Sequence, residues 1–301
     1  MNFPDRLFPR CPESIVRRSV ALDAYTTLRV GGPADFFAEP ENEGQLSALL
    51  TAAREADVPV LLMGNGSNLL VRDGGFRGLA IHLGKRFSAL KAEGASIRAQ
   101  AGALLSALSR FARDQSLTGL EFAQGIPGTV GGGVYMNAGA YGGELGQMIS
   151  SVRVLDGEEI REIPGEEMAF SYRHSRAMEE NWIILDACFA LREGDQALID
   201  GAMRDYAARR REKQPLEYPS AGSFFKRPAG HFAGKLIEDA GLKGLTVGGA
   251  QVSEKHAGFL INRGGATAAD FLRLKDQVQE RVLRQFGVQL EPEVRIVGEE
   301  A

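Results

Sequence analysis

The sequence predicts an α+β protein of two α/β units followed by a separate third α+β unit, and three observations carry that prediction. Its 301 residues, 44% of them hydrophobic, exceed the size at which a single core usually keeps growing. Helical-period segments alternate with short strand runs through the first two thirds of the chain. A long polar helix, "DQALIDGAMRDYAARRREKQP", then runs up to Pro215 and has the character of a boundary.

From Asn42, the spacing of Leu46, Leu49, Leu50 and Ala53 predicts a helix, which feeds a buried strand from Pro59 to Met63 and a Gly/Asn turn. "RDGGFRGLAIHLG" adds turn chemistry and another strand, closing a first unit at about Arg86. The second unit, to residue 207, opens with "SIRAQAGALLSALSRFARDQSLTG", a strand and a helix with Leu104, Leu105, Leu108, Phe111 and Ala112 on one side. A glycine-rich stretch follows, "GIPGTVGGGVYMNAGAYGGE" (125–144), and then "SSVRVLDGEEIREIP", in which Asp156-Gly157 is placed to close a two-residue hairpin. The third unit, 208–291, holds "AGSFFKRPAG", a short helix around "GKLIEDAGL" and an amphipathic helix from Thr267 whose Thr-x-x-Asp start has the form of a capping box. Residues 292–301 are expected to return to the first unit as a strand.

A formal net charge of −4 gives no global attraction to nucleic acid or anionic membrane, so phosphate recognition has to be local. Cys11 and Cys188 are too few and too distant for a disulfide framework or a metal knuckle, which favours a reducing compartment. The first residues have no apolar signal core, and no segment approaches spanning length; a cytoplasmic, unprocessed protein is expected. His174, His231 and His256 lack metal-ligand spacing, and no metal is assigned.

The chemistry-bearing stretches begin with "GNGSNLL" (64–70). Glycines at 64 and 66 let a ligand approach the backbone closely, while Ser67 and Asn68 add side-chain hydrogen bonds. Alone, such a motif is more often an ordinary tight turn. The glycine-rich stretch lacks both the Lys-Ser/Thr of a Walker loop and the Gly-x-Gly-x-x-Gly opening of a dinucleotide helix. It has no lysine or arginine at all, so any anion would be held by backbone N–H groups, with Pro127 fixing one φ. Two such loops point to a diphosphate lying between them; a glycine-rich barrel corner is the plain alternative.

Seven blocks, "TTLRVGG" (26–32), "GNGSNLL", the glycine-rich stretch, "SYRHS" (171–175), "AGSFFK" (221–226), "GGAQVSEKHAGFLIN" and "LEPEVR" (290–295), together resemble the UDP-N-acetylenolpyruvoylglucosamine reductase family. The resemblance implies a p-cresol methylhydroxylase/vanillyl-alcohol oxidase type FAD-binding module, in which two α/β units sandwich non-covalent FAD, and a third domain that closes over a nucleotide sugar. It also implies NADPH as hydride donor and reduction of UDP-N-acetylenolpyruvoylglucosamine by a cytoplasmic monomer, with no nucleic-acid or membrane partner. An FAD oxidase of the same superfamily and a non-catalytic flavin-binding protein are the alternatives.

Residue by residue, the resemblance assigns Arg173, Ser223 and Glu293 to catalysis. Hydride addition to an enol ether conjugated to a carboxylate builds negative charge on that carboxylate and leaves C2 to be protonated. A permanently charged guanidinium at Arg173 suits the first need, and Ser223 is the implied proton donor, with Gly222 allowing close approach and Phe224 or Phe225 walling off solvent. Glu293 is either protonated or an orienter of Arg173, and both readings stand. Cofactor contacts are implied for Arg29, Gly64, Asn65, Gly66, Ser67, Asn68, Gly125, Ile126, Pro127, Gly128, Thr129, Gly131, Gly132, Asn137, Gly139, Ala140, Tyr141 and Arg295. Substrate contacts are implied for Tyr172, Arg211, Lys213, Lys226 and Arg227, where Arg227 stands in place of the family's frequent asparagine. The short connection after "YRHS" resembles the family's shorter subclass, which lacks a tyrosine-bearing loop over the substrate.

Overall fold

The computed structural model describes residues 15–301, so Cys11 lies outside the described residues. The chain divides into two units, one holding residues 38–65 and 81–209 and the other residues 17–37, 66–80 and 210–301.

The first unit is organised on an antiparallel five-stranded sheet in the order Glu159–Pro164, Ile149–Asp156, Ile183–Ala190, Ser96–Gln100, Leu90–Glu93. Its hairpin register pairs Asp156 with Glu159, so the two turn residues are Gly157 and Glu158, one position later than the Asp156-Gly157 turn expected. The reason is conformational: Gly157 takes φ 61° at the first turn position, the glycine site of a II′ turn, which leaves Asp156 free to pair. Helix Glu43–Glu55 buries Leu46, Leu49, Ala52 and Ala53, and the Asn42 side chain accepts the Gln45 N–H at its start. The Asp186 carboxylate, 3% exposed, sits between Arg98 and Arg153 at 2.7 Å each, and Arg153 also reaches Glu43 at 2.9 Å. That chain of charges ties the start of the helix to the sheet. Helix Leu105–Asp114 buries Leu105, Leu108 and Ala112, but Leu104 is the residue before the helix and is exposed, so it does not share their side of it as expected.

In the second unit an antiparallel sheet runs Ser220–Ser223, Phe259–Asn262, Ala250–Val252, Thr246–Val247. Helix Ala268–Phe286 inserts Phe271, Leu274, Val278 and Val282 into a core shared with Leu28, Val30, Leu70, Phe224, Ile237 and Leu260. Its start is fully provided for: Thr267 and Asp270 form the expected capping box, and the Asp73 carboxylate accepts the Ala268 and Ala269 N–H groups at 2.8 Å each. The final strand, Arg295–Val297, pairs in parallel with Leu69–Val71. Here the glycine pairs 31–32 and 74–75 permit backbones to interlock, since a Cβ at Gly75 would enter the Pro33 carbonyl.

Candidate functional site

The candidate residues fall into both units. Within the first unit, Asn65 donates its side-chain amide to the Pro127 carbonyl at 2.5 Å, which joins the end of the "GNG" turn to the glycine-rich stretch. A Cβ at Gly64 would run into the Thr129 side chain, so the two loops approach as closely as glycine allows. Thr129 is the residue before helix Val130–Tyr135, and its hydroxyl faces the Gly132 N–H at a long 3.5 Å.

Several N–H groups at the start of the helix are already engaged within the protein. Val130, Gly131 and Gly133 donate to the carbonyls of Ala103, Ala101 and Thr129 at 2.7, 2.8 and 2.7 Å. Gly131 and Gly133 are small for a packing reason, because a Cβ there would strike Ala101 or the Leu105 and Leu145 side chains. These glycines seat a short helix against the core. Downstream, Gly139–Ala140 and Gly143–Glu144 form a hairpin whose two turn residues, Tyr141 and Gly142, take φ 55° and 86° as a type I′ turn demands. Tyr141 at its tip stacks on Tyr206 with ring centroids 4.8 Å apart.

Asn137 is 2% exposed and stands at φ 43°, just beyond helix Val130–Tyr135. Its N–H and that of Ala138 reach back to Val134 and Gly133 at 3.2 and 2.7 Å, the Schellman pattern. Its side-chain amide donates to Glu144 and to the Ser171 carbonyl, both at 3.0 Å, and accepts from the Gly146 N–H at 2.9 Å. Ser171 and His174 close a tight turn by reciprocal 3.2 Å bonds, with Tyr172 and Arg173 at its tip. Arg173 takes φ 56° and its guanidinium lies 5.0 Å from the Tyr172 ring centroid.

Within the second unit, Ser223 and Glu293 come from neighbouring segments. The Glu293 N–H donates to the Phe224 carbonyl at 2.9 Å, and Lys226 N–H donates to Glu291 at 2.8 Å. Strand Ser220–Ser223 carries a bulge against Phe259–Asn262, and Gly222 within it takes φ 74°. Nothing lies where a Cβ of Gly222 would point, so this glycine is needed for its conformation. The bulge turns Ser223 outward. Phe224 and Phe225 are buried at 0% and 3% and anchor the strand in the core, where large apolar rings gain most.

Asn68 spans to the same segment: its amide donates to the Glu293 carbonyl at 3.1 Å, and its own carbonyl accepts the Arg295 N–H at 3.0 Å. A Cβ at Gly66 would enter the Tyr25 carbonyl, and the Thr27 N–H donates to Gly66 at 3.4 Å. Arg29 takes φ 55°, and its loop is held by Asn262, whose amide donates to Leu28 at 3.0 Å. The Arg227 guanidinium packs 4.0 Å from the exposed Phe232 ring, Lys226 faces Glu291 at 3.4 Å, and Lys255 donates to the Arg211 carbonyl at 2.6 Å. Lys213 ends helix Gln196–Lys213. Asn262, Asp73, Ser175 and Tyr206 were not singled out from the sequence, although Asn262, the last residue of "GGAQVSEKHAGFLIN", and Ser175, the last of "SYRHS", lay in recognised blocks.

Within each unit, taken separately, two kinds of feature fit contact with FAD. Among the described residues, Thr27 Oγ1 and Gln124 Oε1 are buried polar atoms with no hydrogen-bond partner, one within block 26–32 and the other immediately before Gly125. Four non-glycine residues in the blocks, Arg29, Asn137, Tyr141 and Arg173, hold left-handed backbone, a costly conformation that concentrates at working sites.

Comparison with known proteins agrees with this. The model of the "FAD binding domain" family matches residues 34–160, and that of the "UDP-N-acetylenolpyruvoylglucosamine reductase, C-terminal domain" matches residues 214–297. A UDP-N-acetylenolpyruvoylglucosamine reductase of Limosilactobacillus fermentum is 49% identical over 99% of both chains, and one of Clostridium novyi is 50% identical over 95% of this chain and 93% of its own. The chain belongs to the UDP-N-acetylenolpyruvoylglucosamine reductase family. The crystal structure of the reductase from Thermus caldophilus superposes with a TM-score of 0.82 at 37% identity, covering 93% of this chain and 99% of that one. This family member is thus an FAD-binding oxidoreductase, an α+β protein with the family's C-terminal domain.

Proposed function

We propose that the protein reduces UDP-N-acetylenolpyruvoylglucosamine to UDP-N-acetylmuramate, with NADPH as hydride donor, as a cytoplasmic monomer in peptidoglycan precursor synthesis. The observation that carries this reading is the 49% identity to a reductase of that name across 99% of both chains. The division into two FAD-binding subdomains, 1–86 and 87–207, and a substrate domain, 208–291, belongs to the same reading.

Gly64 to Asn68, Gly125 to Thr129 and the 139–141 hairpin would hold FAD, with Thr27 and Gln124 adding unspent acceptors. When bound, FAD would supply the redox chemistry that links NADPH to the enolpyruvyl double bond. The protein's own groups handle the charge and the proton that follow. Arg173 holds the substrate carboxylate, on which negative charge builds as the double bond is lost. Ser223, turned outward by the bulge, donates its proton at C2, and the net addition is one hydride and one proton across the carbon–carbon double bond. Glu293 is carried on the segment beside Ser223, its N–H donating to the Phe224 carbonyl, and acts either as a protonated carboxyl group or as an orienter of Arg173. Tyr172, Arg211, Lys213, Lys226 and Arg227 bind the nucleotide sugar.

Incubating the FAD-loaded protein with NADPH and the enolpyruvyl substrate tests this. Product two mass units heavier than substrate, with one NADPH consumed per product, is expected. NADPH consumption that tracks oxygen and leaves the substrate unchanged would instead indicate an oxidase.

A further inference from the structure

We propose that Asn137 is a positioning residue for Arg173: its side-chain amide fixes the base of the turn that presents the Arg173 guanidinium. The proposal rests on the reading of Arg173 given above. The left-handed position after a helix is normally filled by glycine, and glycine is abundant in this stretch, at 131, 132, 133 and 139. Asparagine at φ 43° accepts backbone strain that glycine would avoid, so its side chain has to return something. What it returns is visible in its bonds. Both amide hydrogens are used, on Glu144 and on the Ser171 carbonyl, and the amide oxygen takes the Gly146 N–H. The side chain itself is buried, at 2% exposure.

The other end of the turn is secured independently. Ser175, fully buried, donates its hydroxyl to the Tyr135 carbonyl at 2.7 Å, two residues before Asn137. The turn Ser171–His174 is therefore pinned at both ends to the helix Val130–Tyr135 and its cap, and Arg173 is held at φ 56° between the pins. A left-handed arginine at a turn tip has few ways to relax, so freeing the base displaces the guanidinium directly. Displacement of a charge-stabilising group by about 1 Å costs on the order of 100-fold in rate.

The experiment compares the two half-reactions of the FAD-loaded protein, reduction by NADPH and reoxidation by the enolpyruvyl substrate, in Asn137→Ala, Arg173→Ala and the double variant. Asn137→Ala is expected to slow reoxidation about 10- to 100-fold, and to slow it more than it slows reduction by NADPH. Because Asn137 acts through Arg173, the double variant should reoxidise no more slowly than Arg173→Ala alone. Additive losses, equal losses in both half-reactions, or a defect confined to FAD affinity would overturn the proposal. Should Asn137→Ala fail to fold, Ser175→Ala leaves the Asn137 amide in place and must show the same selective, non-additive defect; a Ser175→Ala protein with normal reoxidation would also overturn it. If the unmodified protein is not reoxidised by the substrate, the functional reading fails, while the dependence of the Arg173 turn on Asn137 remains separately measurable by hydrogen exchange of the 171–175 amides, where Asn137→Ala must lose protection.

Discussion

Asn68 holds the Glu293–Arg295 backbone at two points, its side-chain amide donating to the Glu293 carbonyl at 3.1 Å and its main-chain carbonyl accepting the Arg295 N–H at 3.0 Å. A residue assigned from sequence to the cofactor is thus joined to the segment that carries a candidate catalytic carboxylate. Asn68→Ala should leave the Glu293 carbonyl without this donor, destabilise the protein by about 1–3 kcal/mol and slow turnover. Urea unfolding and steady-state kinetics on one preparation check both. Unchanged stability would show that the bond contributes nothing.

Ser223→Ala is expected to leave reduction by NADPH nearly intact and to slow reoxidation by substrate, by about 10²- to 10⁴-fold if the hydroxyl is the proton donor. Stopped-flow absorbance separates the two steps. Equal loss in both would assign Ser223 a structural role.

Gly222→Ala tests the bulge. Nothing blocks the added methyl, so the cost should be the left-handed conformation alone, about 1–2 kcal/mol. If the bulge also orients Ser223, the variant should slow reoxidation more than reduction. A variant as stable as the parent would mean that the strand relaxes its φ of 74°.

His256 predicts a pH dependence. Burial is the main cause holding its pKa below the ordinary 6.5, and Nδ1 already accepts the Gly258 N–H at 3.1 Å. Below pH 6.5 the unfolded chain takes up a proton that the folded one resists, so this group's contribution to stability is complete above that value and is lost as pH falls toward the lowered pKa. Thermal unfolding from pH 7.5 to 5 should therefore show a steeper acid-side decline in the parent than in His256→Gln. Parallel profiles would contradict it.

Much of this was legible in the sequence because it is local. The capping box at Thr267 and Asp270, the helix at 43–55 and the hairpin near Gly157 all follow from residue types a few positions apart. The glycine-rich stretch was only half legible. Its composition shows that backbone must come close to something, but not whether the neighbour is a phosphate or Ala101, Leu105 and Leu145. Which N–H groups remain unspent is settled by carbonyls such as Ala101 and Ala103, and spacing says nothing of them. The asparagines were legible as polar residues in recognised blocks, whereas their targets lie 34 residues away from Asn137 and 225 from Asn68.

The central claim, that this family member is a reductase acting on an enolpyruvyl nucleotide sugar, is tested most directly by one anaerobic titration. The FAD-loaded protein is bleached with one equivalent of NADPH and then mixed with UDP-N-acetylenolpyruvoylglucosamine. Full return of the oxidised flavin spectrum, with formation of UDP-N-acetylmuramate in equal amount, is the predicted result. A flavin that stays reduced with that substrate and regains its colour only on admission of air would contradict it.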